Sequence, residues 1–190
     1  MRSRLWVAVV LGLVAGCDDD LRTLTQEDIS DVPTSDAIGM QFSGQYLITS
    51  GTIEACNCRR GSCNTIRPVL GATVMVTQTD GALQMTDPLS SVLAHGGVDA
   101  DGHYTLGFLR EELDNLQYAL IQGQFASSGG TPTSMSAVQE STSHQSVYDC
   151  DVRSQFVAVY QGPLPAAFLE APGAEASGPG PVAVTSGPNR

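Results

Sequence analysis

Lysine does not occur in this chain, and nine arginines carry all of its basic charge against twenty acidic side chains, a formal net charge of −11. Nucleic acid and bare anionic membrane surfaces are bound through basic patches, so neither is an expected partner. The all-arginine usage reads as the codon bias of a GC-rich genome rather than a functional feature. Long apolar runs are missing as well. A membrane-spanning helix takes about 20 apolar residues, whereas the run from Leu5 to Gly16 is shorter and ends in Asp18-Asp19-Asp20.

Signatures of catalysis are equally scarce. There is no Gly-x-Ser-x-Gly elbow, phosphate loop or dinucleotide fingerprint. His95, His103 and His144 stand far apart, with no Asp or Glu at a helical ligand spacing. Glu111 and Glu112 are adjacent, and sequence neighbours on a helix do not face one substrate. These absences leave no catalytic residue, cofactor or metal ligand to name. The expectation is a protein that binds or supports, with a hydrolase using an unrecognised site ranking behind.

What the chain does have begins at its N-terminus. Arg2 and Arg4 precede an apolar core from Leu5 to Val14, followed by the small residues Ala15 and Gly16. That is the layout of a secretory signal, which needs a positive start, roughly 7 to 15 apolar residues and a small-residue cleavage point. Val14-Ala15-Gly16-Cys17 further resembles the lipobox of bacterial lipoproteins at every position. The resemblance implies cleavage before Cys17, a diacylglyceryl group on its sulfur and usually acylation of the freed amine. It therefore implies a cell-envelope protein whose membrane partner is reached through lipid on Cys17. Asp18 resembles the inner-membrane retention signal of enteric bacteria, but sorting rules differ between lineages, and both membrane and leaflet stay open.

Cysteine arithmetic agrees. Five Cys leave an odd thiol in an exported protein, and assigning Cys17 to lipid leaves Cys56, Cys58, Cys63 and Cys150. In an oxidising compartment an even set is most simply two disulfides. Cys56-Asn57-Cys58-Arg59-Arg60-Gly61-Ser62-Cys63 could instead supply zinc thiolates, but structural zinc sites usually present paired Cys, and no second pair accompanies Cys150. If the first and last strands of a barrel are neighbours, Cys56 or Cys58 lies beside Cys150. The expected pairing is Cys56 with Cys150 and Cys58 with Cys63, around the Arg59-Arg60-Gly61 turn.

Composition divides the rest. Residues 1–16 are the signal, and 17–41 form an acidic segment expected to be a flexible tether of about 24 residues, holding the domain on the order of 25 Å from a bilayer. Residues 42–161 alternate short apolar and β-branched runs with turn residues. Residues 162–190 are rich in Pro, Gly, Ala and Ser and are expected to be disordered.

Within 42–161, strands are expected at Gln45–Ile53, Ala72–Gln78, Ala82–Thr86, Ser91–Val98, His103–Phe108, Tyr118–Phe125, Thr133–Ser141 and Cys150–Tyr160. Asp80-Gly81 sits at a hairpin turn. Asp99-Ala100-Asp101-Gly102 reads as a turn with Gly102 at positive φ, since no Glu stands where a calcium loop would need one. Leu109, Leu113, Leu116 and Leu120 stand at helical spacing, so a helical turn is expected from Arg110 to Asn115.

Eight short strands without βαβ spacing predict an all-β fold, an antiparallel meander closed or nearly closed as a small barrel, which removes exposed edges. The texture is similar to small lipocalin-like barrels among envelope lipoproteins. Two roles follow: contact with another envelope protein, or carriage of a small apolar ligand. Interior volume separates them. Phe42, Tyr46, Tyr104, Phe108, Phe125 and Phe156 would fill a small barrel, whereas a cavity above about 300 Å³ favours the carrier.

Overall fold

The computed structural model describes residues 21–35, 39–87, 92–112 and 115–169, and the signal sequence, Cys17 and residues 170–190 lie outside these. Eight strands form a closed antiparallel barrel in sequence order, with β8 hydrogen-bonded back to β1. They are β1 (Gly44–Arg60), β2 (Thr73–Thr79), β3 (Ala82–Asp87), β4 (Val92–Val98), β5 (His103–Glu112), β6 (Asn115–Ser128), β7 (Thr131–His144) and β8 (Asp149–Gly162). The expected meander is what the chain forms. Asp80, at φ 54°, makes the β2–β3 turn, and Gly129-Gly130, at φ 59° and 80°, makes the β6–β7 turn. Both conformations are left-handed, which is what short hairpin loops demand.

One end of the lumen is plugged. Alternation along the strands sends Tyr46, Tyr104 and Phe125 inward, and the lead-in to β1 adds Phe42, all at most 4% exposed. Phe42 stacks on Phe125 with ring centroids 4.5 Å apart, Tyr104 lies 4.7 Å from Phe125, and Tyr160 meets Tyr46 edge-on at 5.4 Å. Each such pair contributes about 0.5–1.5 kcal/mol beyond area burial. The Tyr46 hydroxyl donates to the Phe42 carbonyl at 2.7 Å, and Tyr104 donates to the Ser136 carbonyl. Burial pushes both phenols well above the ordinary tyrosine range, so they remain donors. Phe108 and Phe156 border the core but are only partly buried.

Two expectations are corrected here. No helical turn spans 110–115 among the described residues: β5 runs to Glu112 and pairs with Asn115 at the start of β6. Leu116 and Leu120 extend the helical spacing of Leu109 and Leu113 because β6 is apolar on both faces, its inner face carrying Ile121 and Phe125. What covers the outer face is the second correction. From Leu21 the acidic segment is a docked strap rather than a flexible tether, with Leu24 and Ile29 buried against Tyr118 and Leu120 and Val32 packed beside them.

The strap contains a one-turn helix, α1 (Gln26–Ser30), entered through a capping box in which the Thr25 backbone N–H donates to Asp28 at 2.8 Å. It lies directly on backbone where outward positions carry no side chain. A Cβ on Gly107 would meet Ile29 at 2.9 Å, and one on Gly97 would meet Ser35 at 2.6 Å. After β8 a short helical turn, α2 (Ala166–Leu169), follows, and Gln45 donates to the Pro163 carbonyl.

Candidate functional site: the disulfide end of the barrel

The end opposite the aromatic plug is built differently because β1 outruns β2. Only Gly44 to Leu47 pair with β2, whereas β1 continues alongside β8 as far as Arg60. The β1–β2 connection then has to fold back along β1. It does so through a 3₁₀ turn (Cys63–Thr65) and rejoins at Ile48, whose N–H donates to Ala72 and whose carbonyl accepts from Gly71, both at 2.9 Å. Gly51 makes room for this loop, since a Cβ there would stand 3.1 Å from Pro68.

Beneath the loop lies a cavity of about 340 Å³. Ile48, Val74, Met85, Ala94 and Ile121 form its apolar wall, and Ile66, Pro68 and Val69 of the loop cover it. The inward column of β7 changes along its length, from Met135 and Ala137 in the packed half to Gln139, Ser141 and Ser143 at the cavity. Ser154 of β8 adds to this polar stripe. A second recess of about 300 Å³ adjoins it toward Phe108 and Gln117 and shares Gln139, Ser141, Ser143 and Tyr148 with the first. Small side chains on β7 and at Ser154, against the packed aromatics at the other end, leave the space, with Phe156 and Tyr148 at its border. A volume of this size corresponds to roughly ten waters.

Four cysteines frame the mouth, but not in the expected pairing. Cys58 is bonded to Cys150 and Cys56 to Cys63. The register explains the difference: Cys58 stands directly opposite Cys150 across β1–β8, while Cys56 is opposite Val152. Cys56 and Cys58 share the inner face, two residues apart, and the 3₁₀ turn carries Cys63 to the one still free. The Cys58 Sγ lies 3.6 Å from that of Cys56 and 3.5 Å from that of Cys63. These are the sulfurs a metal site would have gathered, here joined as two bridges. Cys150 is both a bridge partner and a wall of the cavity.

Outside the same end, Arg59 is not a free cation. It meets Asp149 at 2.9 Å and the buried Asp151 at 2.8 Å. Asp149 is held below the usual carboxylate range chiefly by the Arg59 hydrogen bond, with His144 Nδ1 at 3.0 Å contributing. Asp151 also accepts from Thr23 and Thr142, and the Leu24 N–H donates to Thr142 at 2.8 Å. This network fastens the start of the strap to the mouth end. Arg60 donates to the Ser146 carbonyl, joining the β1–β2 loop to the β7–β8 loop.

The remaining sequence candidates do not converge. His95 points out of β4, exposed and away from the cavity. His103 pairs with Asp99 at the plugged end, where the Asp99 carboxylate accepts the backbone N–H groups of Asp101 and His103. That turn has Gly102 at φ 83°, as expected. The chain matches no protein-family model and no curated protein.

Proposed function

We propose that this protein is an envelope lipoprotein whose barrel carries a small, largely apolar ligand in the cavity at the disulfide end. The observation that carries this reading is the 340 Å³ space with an apolar wall and a polar stripe. An eight-stranded barrel is just large enough either to be filled by side chains or to hold one small ligand, as lipocalins do. This lumen is filled in one half and open in the other. Among the described residues no side-chain hydrogen bond engages Gln139, Ser141 or Ser154, which would hydrogen-bond a hydroxyl, carbonyl or carboxylate on an otherwise apolar molecule. Attachment through lipid on Cys17 is supported by Val14-Ala15-Gly16-Cys17 and by the four other cysteines being consumed in pairs.

Native mass spectrometry of the protein isolated from its own membranes tests the carrier role. One small amphiphile retained per chain supports it. A chain that stays empty and also takes up no added single-chain amphiphile defeats it. The anchor is tested separately: Cys17→Ser should leave the membrane fraction, and a variant that remains there contradicts lipid attachment.

A further inference from the structure

The two ends of the barrel differ outside as well as inside. Among the described residues the most exposed large apolar side chains are Val147 at 76%, Val69 at 61% and Leu70 at 56%, whereas the others lie between 39% and 42%. Val147 sits on the β7–β8 loop, and Val69 and Leu70 on the returning part of the β1–β2 loop beside Gly51, the two loops whose residues Tyr148 and Val69 border the cavity. These loops touch each other, since a Cβ on Gly61 would come within 2.8 Å of the Tyr148 ring. Residues 55–79 contain three arginines and no acidic residue. Arg59 is matched by Asp149 and Asp151, but Arg60 and Arg67 donate to backbone carbonyls, of Ser146 and of Asn64 and Ile66. The rim thus combines exposed aliphatic side chains with two guanidinium groups that no carboxylate of the described residues pairs with, in a protein that is otherwise strongly acidic.

The strap adds a length constraint. Leu21 follows Cys17 by four residues, which span at most about 14 Å fully extended. The strap is fastened at the mouth end through Thr23, Leu24 and Arg22, the last meeting Glu140 at 3.2 Å. The plugged end lies most of a strand away, since the nine to eleven residue steps of β8 from Arg153 or Asp151 to Gly162 cover roughly 30–36 Å along the strand. A lipid on Cys17 therefore holds the mouth end against the membrane and leaves the plugged end facing away.

We infer that the barrel docks mouth-down on the bilayer, with Val69, Leu70 and Val147 in the lipid interface, so that its ligand is a membrane amphiphile drawn directly from the bilayer. The inference rests on the anchor proposed at Cys17. Net charge excludes adsorption of this protein by charge alone; the anchor supplies the affinity, and the rim supplies the orientation. Aliphatic side chains flanked by Arg are the composition that settles at a headgroup boundary.

The test places an indole at each end of the mature lipidated protein. The chain's single Trp, Trp6, precedes the proposed cleavage point, so Val147→Trp and Ser128→Trp each give one reporter. In vesicles of brominated phosphatidylcholine the indole at 147 should lose most of its fluorescence and the one at 128 should keep it. Equal quenching at the two ends, or quenching only at 128, overturns the docking. Leu70→Trp serves as a second mouth reporter should Val147→Trp fail to fold. Acylation is read by mass on the same preparation. An acylated protein with an unquenched mouth overturns the docking alone, whereas a Cys17 without lipid overturns the anchor and the docking together. Leu70→Ser/Val147→Ser, at positions that do not line the cavity, should slow transfer of an apolar fluorophore out of vesicles while its affinity in free solution is unchanged. Unaltered transfer overturns uptake from the bilayer.

Discussion

Cys58 and Cys150 are 92 residues apart in sequence and face each other across the β1–β8 seam, with Cα atoms 4.0 Å apart. The bridge locks the seam at which the barrel closes, beside the cavity it helps to line. Cys56–Cys63 spans only seven residues and ties the covering loop to β1. In the chain-entropy picture, removing Cys58–Cys150 by double alanine substitution costs about 4.6 kcal/mol, and removing Cys56–Cys63 costs about 2 kcal/mol less. Denaturant unfolding of the two variants measures this. A non-reduced peptide map should show these two bridges; free thiols throughout, or Cys56 joined to Cys150, would contradict the structure.

The strap gives a second prediction. Leu24 is 1% exposed and Ile29 4% exposed, and truncating a buried Leu or Ile to Ala costs about 2–5 kcal/mol. A marginal attachment such as this one should detach before the barrel unfolds. Leu24→Ala is therefore expected to raise amide exchange across 21–35 and at the covered face of β6, with the far-UV spectrum retained. If 21–35 exchanges freely in the unsubstituted protein, the strap is a flexible tether after all.

Acid should destabilise the fold. Asp149 is depressed chiefly by Arg59, Asp28 by the Thr25 N–H, and Asp99 by the His103 N–H. A carboxyl whose folded pKa is lowered contributes stability above its unfolded value, about 3.9, and loses it as pH falls through the folded value. Melting temperature should therefore be level on the alkaline side of that value and fall in more acidic solution. Asp149→Asn should flatten part of that fall. A melting temperature that rises on acidification would reverse the assigned sign.

The barrel was legible in the sequence because its strands alternate and its turns carry Asp80-Gly81, Gly102 and Gly129-Gly130. The docking of the strap and the strand ends of the β5–β6 hairpin, where the spacing predicts a helical turn at Arg110 to Asn115, are hidden in the sequence for one shared reason. Tyr118-Ala119-Leu120-Ile121 is buried on both faces only because the strap covers the outer one, so alternation is lost and Leu spacing mimics a helix. The strap, in turn, is acidic and carries few apolar residues, and composition alone gives no sign of the bare outer positions at Gly97 and Gly107 that receive it. The cavity was hidden differently. The six candidate aromatics are visible in the sequence, but not that Phe42, Tyr46, Tyr104 and Phe125 gather at one end while Phe108 and Phe156 border the open half. The serines of β7 become a polar stripe only once strand parity is known. The disulfide exchange turned on two residues of register, since both Cys56 and Cys58 face inward near Cys150 and only one stands opposite it.

The central claim is that the open half of the lumen holds a ligand. Titration with the apolar fluorophore N-phenylnaphthylamine tests it most directly, alongside two variants, Ala94→Phe and Ser154→Phe, that each place a ring in the cavity while keeping the barrel's circular dichroism. The account predicts saturable binding of one probe per chain, weakened roughly tenfold or more, about 1.4 kcal/mol, in each variant. A folded protein that binds no probe, or one whose binding survives both substitutions undiminished, would contradict it.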